Sequence, residues 1–240
     1  MKAAVPHILA ILGLLLPGVG CGESDSSVVH VRAASSVAPL LEDWVLSHEA
    51  SGVVVSAASS PLVVEQVRQG APASLVLLAD SEWMDVLEAE GLVDSKRRRS
   101  LGVNRLALVT PKGGNAAWIE RDGTGRFAIA ETSHVPLGRY AKEVLDRRGW
   151  WSRLEPGIVI AANARATIGL VETGEVDAAF VYLTDAVRSD RVEIREIVDV
   201  REHRPIRCEV AILVDDPEAE RLLDRLVERG IGLQQEGGGS

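Results

Sequence analysis

Short apolar runs alternate along this chain with stretches in which apolar residues recur every three or four positions. Most of the runs are continuous rather than alternating in apolarity, which is typical of strands buried on both faces of a sheet. Between two of them, Leu40, Leu41, Trp44 and Val45 keep helical spacing. This order predicts the α/β class, with a parallel or mixed sheet flanked by helices on both faces. The predicted strands are Val28–Arg32, Val53–Ser56, Leu75–Ala79, Val103–Thr110, Phe127–Ala130, Ala178–Tyr182, Val192–Val198 and Cys208–Val214.

A glycine-rich stretch in the middle of the chain divides these elements into two groups. Residues 112–125 contain four glycines and follow a predicted strand directly. Such a composition predicts a loop, and we interpret it as the passage into a second lobe. A return near residues 182–188 places the last strands and a final helix, Pro217–Glu228, back in the first lobe. The predicted division is therefore 28–108 with 189–240 as the first lobe, and 109–188 as the second.

The amino end has the pattern of an export signal. A positive start is followed by the apolar run Ile8–Leu16 and then by small residues up to Cys21. That run is too short to cross a bilayer, so we predict a signal peptide at 1–20 and a periplasmic or otherwise extracytoplasmic protein. Cys21 opens a polar tether, 21–27, and stands where a bacterial lipoprotein carries its lipid. We predict lipidation there as the single contact with a membrane, with a chance cysteine as the alternative.

The charge balance argues against a nucleic-acid partner. Lys and Arg total 26 against 35 Asp and Glu, which gives a formal charge of −9, and loss of Lys2 with the signal makes it −10. Such a surface repels phosphates and anionic lipid headgroups. Aromatic residues make up only 4% of the chain, so stacking surfaces for bases or sugars are few.

The sequence contains no familiar motif of catalysis or of metal binding. The histidines are scattered without the spacing of metal ligands. G-x-S-x-G, H-E-x-x-H, Walker A and C-x-x-C patterns do not occur. The second cysteine, Cys208, lies within an apolar run and is predicted to be a buried small hydrophobic residue without a disulfide. These observations predict a protein that is not an enzyme and uses no cofactor or directly coordinated metal.

Four predicted helices begin soon after strands, at residues suited to hold an anion. Ser36 and Ser60 are candidate N-caps, while Val135–Pro136 opens a third helix and Asn163 a fourth. Backbone N–H groups at a helix start have no helical partners and lie at the positive end of the helix dipole. Helix starts from two lobes that face each other predict an anion pocket built without Lys or Arg.

Six segments of the chain together resemble one family in order and spacing. The segments are Ala33–Val37, Ala58–Ser60, Gly70–Ala73, Ala79–Met84, His134–Lys142 and Val181–Tyr182. They are similar to segments of the periplasmic molybdate-binding proteins of ABC importers. The resemblance extends from about Val28 to about Val214, and the Gly-Ala-Pro-Ala and Val-Pro-x-Gly-x-Tyr-Ala-Lys stretches make it specific.

The resemblance implies a type II periplasmic-binding-protein fold whose two α/β lobes close on one tetrahedral oxyanion. It implies molybdate or tungstate as a ligand, not a cofactor, and an ABC permease of the inner membrane as the partner of a monomeric protein. It also implies hydroxyl donors at Ser36, Ser60 and Tyr182 and backbone N–H donors at Leu137 and Ala164.

This sequence departs from the family at two places, and the residues leave two other functions open. Ser35 stands where the family often has Ala and adds a hydroxyl that bears on selectivity, and the carboxyl end is shorter than usual. One alternative is another tetrahedral oxyanion, sulfate or phosphate. The other is a secreted hydrolase with Ser36 or Ser60 as nucleophile, which requires a nearby histidine. His30 lies at the wrong end of its strand for that role.

Overall fold

The computed structural model describes residues 28–234, so the predicted signal peptide, tether and Cys21 lie outside the described residues. Within that range the chain forms ten strands and nine α-helices. The strands are β1 (Val29–Ala34), β2 (Val53–Ala58), β3 (Leu75–Leu78), β4 (Arg98–Asn104), β5 (Leu106–Pro111), β6 (Phe127–Ala130), β7 (Ile158–Ala161), β8 (Ala178–Tyr182), β9 (Val192–Ile197) and β10 (Ile206–Ile212). The helices are α1 (Ala38–Ser47), α2 (Ser60–Arg68), α3 (Ser81–Ala89), α4 (Trp118–Arg121), α5 (Pro136–Arg147), α6 (Trp151–Leu154), α7 (Ala164–Glu172), α8 (Leu183–Arg188) and α9 (Pro217–Arg229).

The strands form two mixed sheets built on the same plan. The first sheet has the order β2-β1-β3-β10-β4, and the second has the order β7-β6-β8-β5-β9. In each sheet three neighbouring strands are parallel, and a fourth and fifth are antiparallel to the strand beside them. The strands β3, β6 and β8 are buried along their whole length, as their continuous apolarity predicts. The predicted α/β class with two mixed sheets flanked by helices is confirmed.

The predicted strand Val103–Thr110 is two strands that belong to different sheets. β4 ends at Asn104 and β5 begins at Leu106. The break falls at Arg105, whose backbone N–H donates to the side-chain Oδ1 of Asn104 at 2.9 Å. This bond lies at the point where the chain passes from the first sheet to the second, and composition gives no sign of it.

The predicted lobe boundaries need correction at two strands. β5 and β9 pair with each other in the second sheet, whereas the predicted boundaries, 28–108 with 189–240 and 109–188, divide β5 and place β9 in the first lobe. The physical reason is the burial of β5, whose apolar Leu106–Val109 segment needs a hydrogen-bonded neighbour on each side. β8 lies on one side and β9 on the other. The division into two lobes that move relative to each other stays a prediction.

The structure contains two elements that the sequence does not predict. The predicted loop at residues 112–125 contains the short helix α4, and the strand β7 is not predicted.

Cys208 is fully buried, which confirms its predicted burial. The carboxyl end packs through Leu222, Leu223 and Leu226 of α9, and Gln234 bridges to Val103 of β4. Residues 217–234 are therefore held against the first sheet.

Helices α1, α2, α5 and α7 each follow a parallel strand, so their amino ends lie beyond the carboxyl ends of those strands. In open α/β sheets ligands bind at this edge. The architecture therefore directs four helix starts to the space between the two sheets.

Candidate functional site

A small cavity lies between the carboxyl ends of the parallel strands of the two sheets. Its volume is about 10 Å³, far below the roughly 300–1,000 Å³ of sites for drug-sized ligands. All five predicted site residues line it, and they come from both sheets. The full lining is Ala34, Ser35, Ser36, Ser59, Ser60, Ala79, Val135, Pro136, Leu137, Asn163, Ala164 and Tyr182.

The register of β1 and β2 brings Ser36 and Ser60 together. Ala34 and Ala58, the last residues of the two strands, are register partners. Ser36 and Ser60 each lie two residues beyond these alanines, and each is 3% exposed. The ladder continues one residue further, because the backbone N–H of Ser35 donates to the carbonyl of Ala58 at 2.7 Å. Two parallel strands of equal register thus bring both serines to the same cavity.

The predicted N-cap roles of Ser36 and Ser60 are wrong. Val37 is the N-cap of α1 and Ser59 is the N-cap of α2, with Ser60 as the first residue of that helix. Neither helix start is capped by a side-chain hydrogen bond. The turn after β1 is one residue longer than the sequence suggests, because the N–H of Val37 bonds back to the carbonyl of Ala34. The hydroxyls of Ser36 and Ser60 are therefore not used as helix caps.

On the opposite wall, α5 and α7 present backbone N–H groups. Proline has no N–H, so the first N–H of α5 belongs to Leu137, the residue after Pro136. Ala164 is the first residue of α7, and the N-cap Asn163 accepts from Ala166 N–H through its Oδ1 at 2.9 Å. N–H groups in the first turn of a helix have no partner within that helix. At Leu137 and Ala164 the side chain is buried, and the backbone supplies the donor.

Tyr182 contributes a buried hydroxyl that has no hydrogen-bond partner in the protein. It ends β8, is 1% exposed and lines the cavity. Burial raises the pKa of its phenol well above the ordinary value, and the nearby Tyr140 and Cys208 act in the same direction. The phenol therefore stays protonated and able to donate. A buried unpaired hydroxyl costs about 1–3 kcal/mol, so this group indicates an acceptor that the protein itself does not supply.

The cavity lining combines polar and apolar side chains and is uncharged. Among the described residues that line it there is no Asp, Glu, Lys, Arg or His. A serine nucleophile in this cavity would therefore have no histidine beside it in the lining. No group of three or more His, Cys, Asp or Glu side chains suited to a metal ion occurs within residues 28–234.

A larger open groove of about 670 Å³ lies beside α7 and α8. Its lining mixes arginines with the carboxylates of Asp43, Glu172, Asp185 and Asp190. Acceptor groups of this kind repel an anion, so the small cavity is the better candidate for an anionic ligand.

The resemblance did not indicate every residue of the cavity. Ser59 and Ala79 also line it, and Asp80, the next residue, is 1% exposed. A signal for Asp80 was present, since Asp directly before Ser81-Glu82 is a strong N-cap pattern. That pattern predicts a helix start, and it gives no sign of the contacts that Asp80 makes with α5.

Comparison with known proteins places this arrangement in a family. Residues 29–229 match the model of the bacterial extracellular solute-binding proteins. The molybdate-binding protein ModA of Escherichia coli is 32% identical over 219 residues, which cover 86% of this chain and 85% of that protein. A Bacillus subtilis protein described as an ABC transporter substrate-binding lipoprotein is 29% identical over 221 residues, covering 86% and 85%.

A solved structure has the same fold. The periplasmic molybdate-binding protein of Azotobacter vinelandii superposes with a TM-score of 0.74 at 21% identity, covering 85% of this chain and 97% of that one. Its two-sheet architecture agrees with the sheets described above. The chain therefore belongs to the family of bacterial extracellular solute-binding proteins that includes ModA of Escherichia coli.

Proposed function

We propose that this protein captures molybdate or tungstate outside the cytoplasmic membrane and delivers it to an ABC importer. The observation that carries the proposal is the unpartnered, fully buried hydroxyl of Tyr182 in a cavity lined by neutral donors from both sheets. The relationship to ModA supports the choice of ligand.

The chemistry of the donors suits a fully deprotonated oxyanion. Molybdate is a dianion at neutral pH, so each of its four oxygens only accepts hydrogen bonds. The hydroxyls of Ser36, Ser60 and Tyr182 and the backbone N–H groups of Leu137 and Ala164 are donors to it in this proposal. Hydrogen bonds to a charged group contribute about 1.5–3 kcal/mol each. Helix starts add a favourable field without any cation.

The same donor set selects among tetrahedral anions. Phosphate keeps a proton near neutral pH, and that proton needs a hydrogen-bond acceptor. The side chains that line the cavity include no carboxylate that could accept it. Sulfate is a dianion but smaller, so it leaves some donors unfilled, and each buried donor left unpaired costs free energy. The hydroxyl of Ser35, also in the lining, adds to the donors on the wall that Ser36 and Ser60 form.

We propose that the ion binds as the part of the protein built on the first sheet and the part built on the second sheet close around it. These two parts are called the two sides below. Ser36, Ser60 and Tyr182 are each at most 3% exposed, so an ion enters and leaves only when the sides separate. The ligand then favours the closed arrangement, because only that arrangement brings donors from both sheets to its oxygens. The closed surface is what the permease is proposed to recognise.

We further propose that the protein acts as a monomer, is not an enzyme and is anchored through a lipid on Cys21. The lipid anchor is supported by the small-residue approach to Cys21 and by the lipoprotein among the relatives. Within residues 28–234 no helix is long and apolar enough to cross a membrane.

Calorimetric titration of the protein lacking residues 1–20 with molybdate, tungstate, sulfate and phosphate tests the function. We expect micromolar or tighter binding of the first two ions and much weaker binding of the others. Ser36→Ala and Ser60→Ala should each weaken molybdate by about tenfold to a hundredfold. Ser47→Ala, on α1 outside the cavity lining, is the matched control and should bind as the wild type does. Binding of sulfate without molybdate or tungstate would overturn the proposal.

A further inference from the structure

We propose that Asp80 is a positioning residue for the oxyanion cavity. Its carboxylate joins the side of the cavity built on the first sheet to the start of α5, and so fixes where the backbone N–H of Leu137 lies. This inference rests on the proposed function, since it concerns the same cavity.

The two oxygens of Asp80 serve different sides of the molecule. Oδ1 accepts from the backbone N–H groups of Glu82 at 2.6 Å and Trp83 at 3.4 Å, and so caps α3 on the side of the first sheet. Oδ2 accepts from Arg139 Nη2 at 2.9 Å and from the Tyr140 hydroxyl at 2.9 Å. Arg139 and Tyr140 belong to α5, which packs on β6 and β8 of the second sheet. One carboxylate is therefore shared between the two sides.

Both ends of this connection lie next to the cavity. Asp80 follows Ala79, which is part of the cavity lining. Arg139 and Tyr140 come two and three residues after Leu137, where the first turn of α5 passes into the second. With a rise of about 1.5 Å per residue, the backbone of the two residues that bond Oδ2 lies within one turn of Leu137. A shift of α5 relative to Asp80 thus shifts that donor by a similar distance.

Burial makes this connection demanding. Asp80 is 1% exposed and Tyr140 is 2% exposed. A buried carboxylate that loses its partners is left uncompensated, which is strongly unfavourable. Separation of α5 from Asp80 therefore requires water to enter and replace two hydrogen bonds. The arrangement with α5 against Asp80, which is also the one with Leu137 at the cavity, is favoured.

Neighbouring contacts of α3 are more exposed. Glu82 pairs with Arg139 and Arg204, and the Trp83 Nε1–H donates to the carbonyl of His134 at 3.0 Å. Elsewhere, Asp43 of α1 pairs with Arg188 of α8. The Asp43 side chain is 58% exposed, and exposed ion pairs contribute little. Asp43 is thus a matched control, because it is also an aspartate that joins the two sides through an arginine.

Asp80→Asn tests the inference with little disturbance of α3. Asn keeps an oxygen for the cap and is itself a good N-cap residue, but its amide N–H₂ replaces the acceptor Oδ2. We expect molybdate affinity to fall by about tenfold to a hundredfold, mainly through faster dissociation. Asp43→Asn should change the affinity by less than about threefold. Stopped-flow fluorescence measures both rates, with Trp83→Phe identifying the contribution of Trp83 to the signal.

The outcomes separate this inference from the proposed function. A wild-type protein that binds no molybdate refutes the function itself. If the wild type binds and Asp80→Asn dissociates at the wild-type rate, the positioning role is wrong. Tyr140→Phe removes one donor to the same oxygen and serves if Asp80→Asn fails to fold. Its dissociation should be faster than that of the wild type, and an unchanged rate would overturn the inference.

Discussion

Two buried tyrosines differ in one respect, and the difference predicts opposite effects of the same substitution. The hydroxyl of Tyr182 has no partner, whereas that of Tyr140 donates to Asp80. Tyr182→Phe removes an unsatisfied group, so the unliganded protein should be as stable as the wild type or more stable by about 1 kcal/mol. Its affinity for molybdate should fall by about tenfold or more. Thermal unfolding without ligand and calorimetry with it check the two effects.

Tyr140→Phe is the control for that pair. It leaves an oxygen of buried Asp80 short of a donor, so the unliganded protein should lose about 1–3 kcal/mol of stability. If both variants lose the same stability without ligand, the Tyr182 hydroxyl is bonded within the protein in solution and the argument from its isolation fails.

Asp185 predicts a pH dependence of stability. Burial raises the pKa of its carboxyl from the ordinary 3.8 to about 7, against the opposing effect of Arg165 and Arg188 and with a small contribution from Glu172. Its Oδ2 is buried without a partner. A carboxyl whose pKa is higher in the folded state holds its proton more tightly there, so its contribution is greatest below about pH 4 and is lost as the pH rises to about 7.

Asp185→Asn removes this titration. The stability of the variant relative to the wild type should therefore increase between pH 4 and pH 7 and stay constant above. Chemical denaturation of both proteins at several pH values measures it. A constant difference between the two across that range would show that the pKa of Asp185 is not raised in the folded protein.

At the level of single residues, the five residues predicted for the site line the cavity, whereas the hydrogen bonds around it have no sequence signal. Ser36 and Ser60 follow strands of equal register, which the sequence shows as similar spacing after two apolar runs. Leu137, Ala164 and Tyr182 were indicated only by resemblance, since a residue that acts through its backbone has no side-chain signature. The link from Asp80 to Tyr140 spans 60 positions in the chain, and no local pattern encodes it.

Among the elements, α5 is the one whose placement depends most on a single small residue. A methyl group on Gly138 would overlap the carbonyl oxygens of Ala130 and Glu131 at the end of β6. Gly138→Ala should therefore push α5 away from β6, with a loss of about 1–3 kcal/mol in stability and weaker molybdate binding through the displaced Leu137 N–H. Thermal unfolding and calorimetry measure these effects.

Gly169→Ala provides the comparison within a helix. Gly169 lies in α7 and has open space where a methyl group would lie, so alanine should stabilise the protein by about 0.5–1 kcal/mol. Equal stability changes in the two variants would mean that close contact with β6 does not constrain α5.

The strand β7 has no clear signal in the sequence, and β4 and β5 have the pattern of one strand, for related reasons. β7 is a four-residue strand at the edge of its sheet, and its third residue, Ile160, is 56% exposed. Its apolar run is too short to distinguish a strand from other structure in the sequence. β4 and β5 read as one strand because only Arg105 separates them, and the change of sheet depends on pairing with β10 and β9, far along the chain. Long-range pairing decides such boundaries, and local periodicity does not contain it.

For the whole molecule, the depth of the cavity predicts a change in shape on binding. Because donors from both sheets are almost fully buried, ligand exchange requires the sides to separate. Small-angle X-ray scattering should give a smaller radius of gyration with molybdate than without it. Sulfate at the same concentration is the control, and an unchanged radius with saturating molybdate would contradict closure.

The position of β10 sets an order of assembly. All five strands of the second sheet lie between Leu106 and Ile197, whereas the first sheet receives β10, its fourth strand in spatial order, only at Ile206–Ile212. A chain that emerges amino end first thus holds every strand of the second sheet while β3 and β4 still lack the neighbour between them. Unpaired strand edges of this kind pair readily with other chains. The interval before β10 arrives is therefore the period in which a newly made chain is most exposed to aggregation.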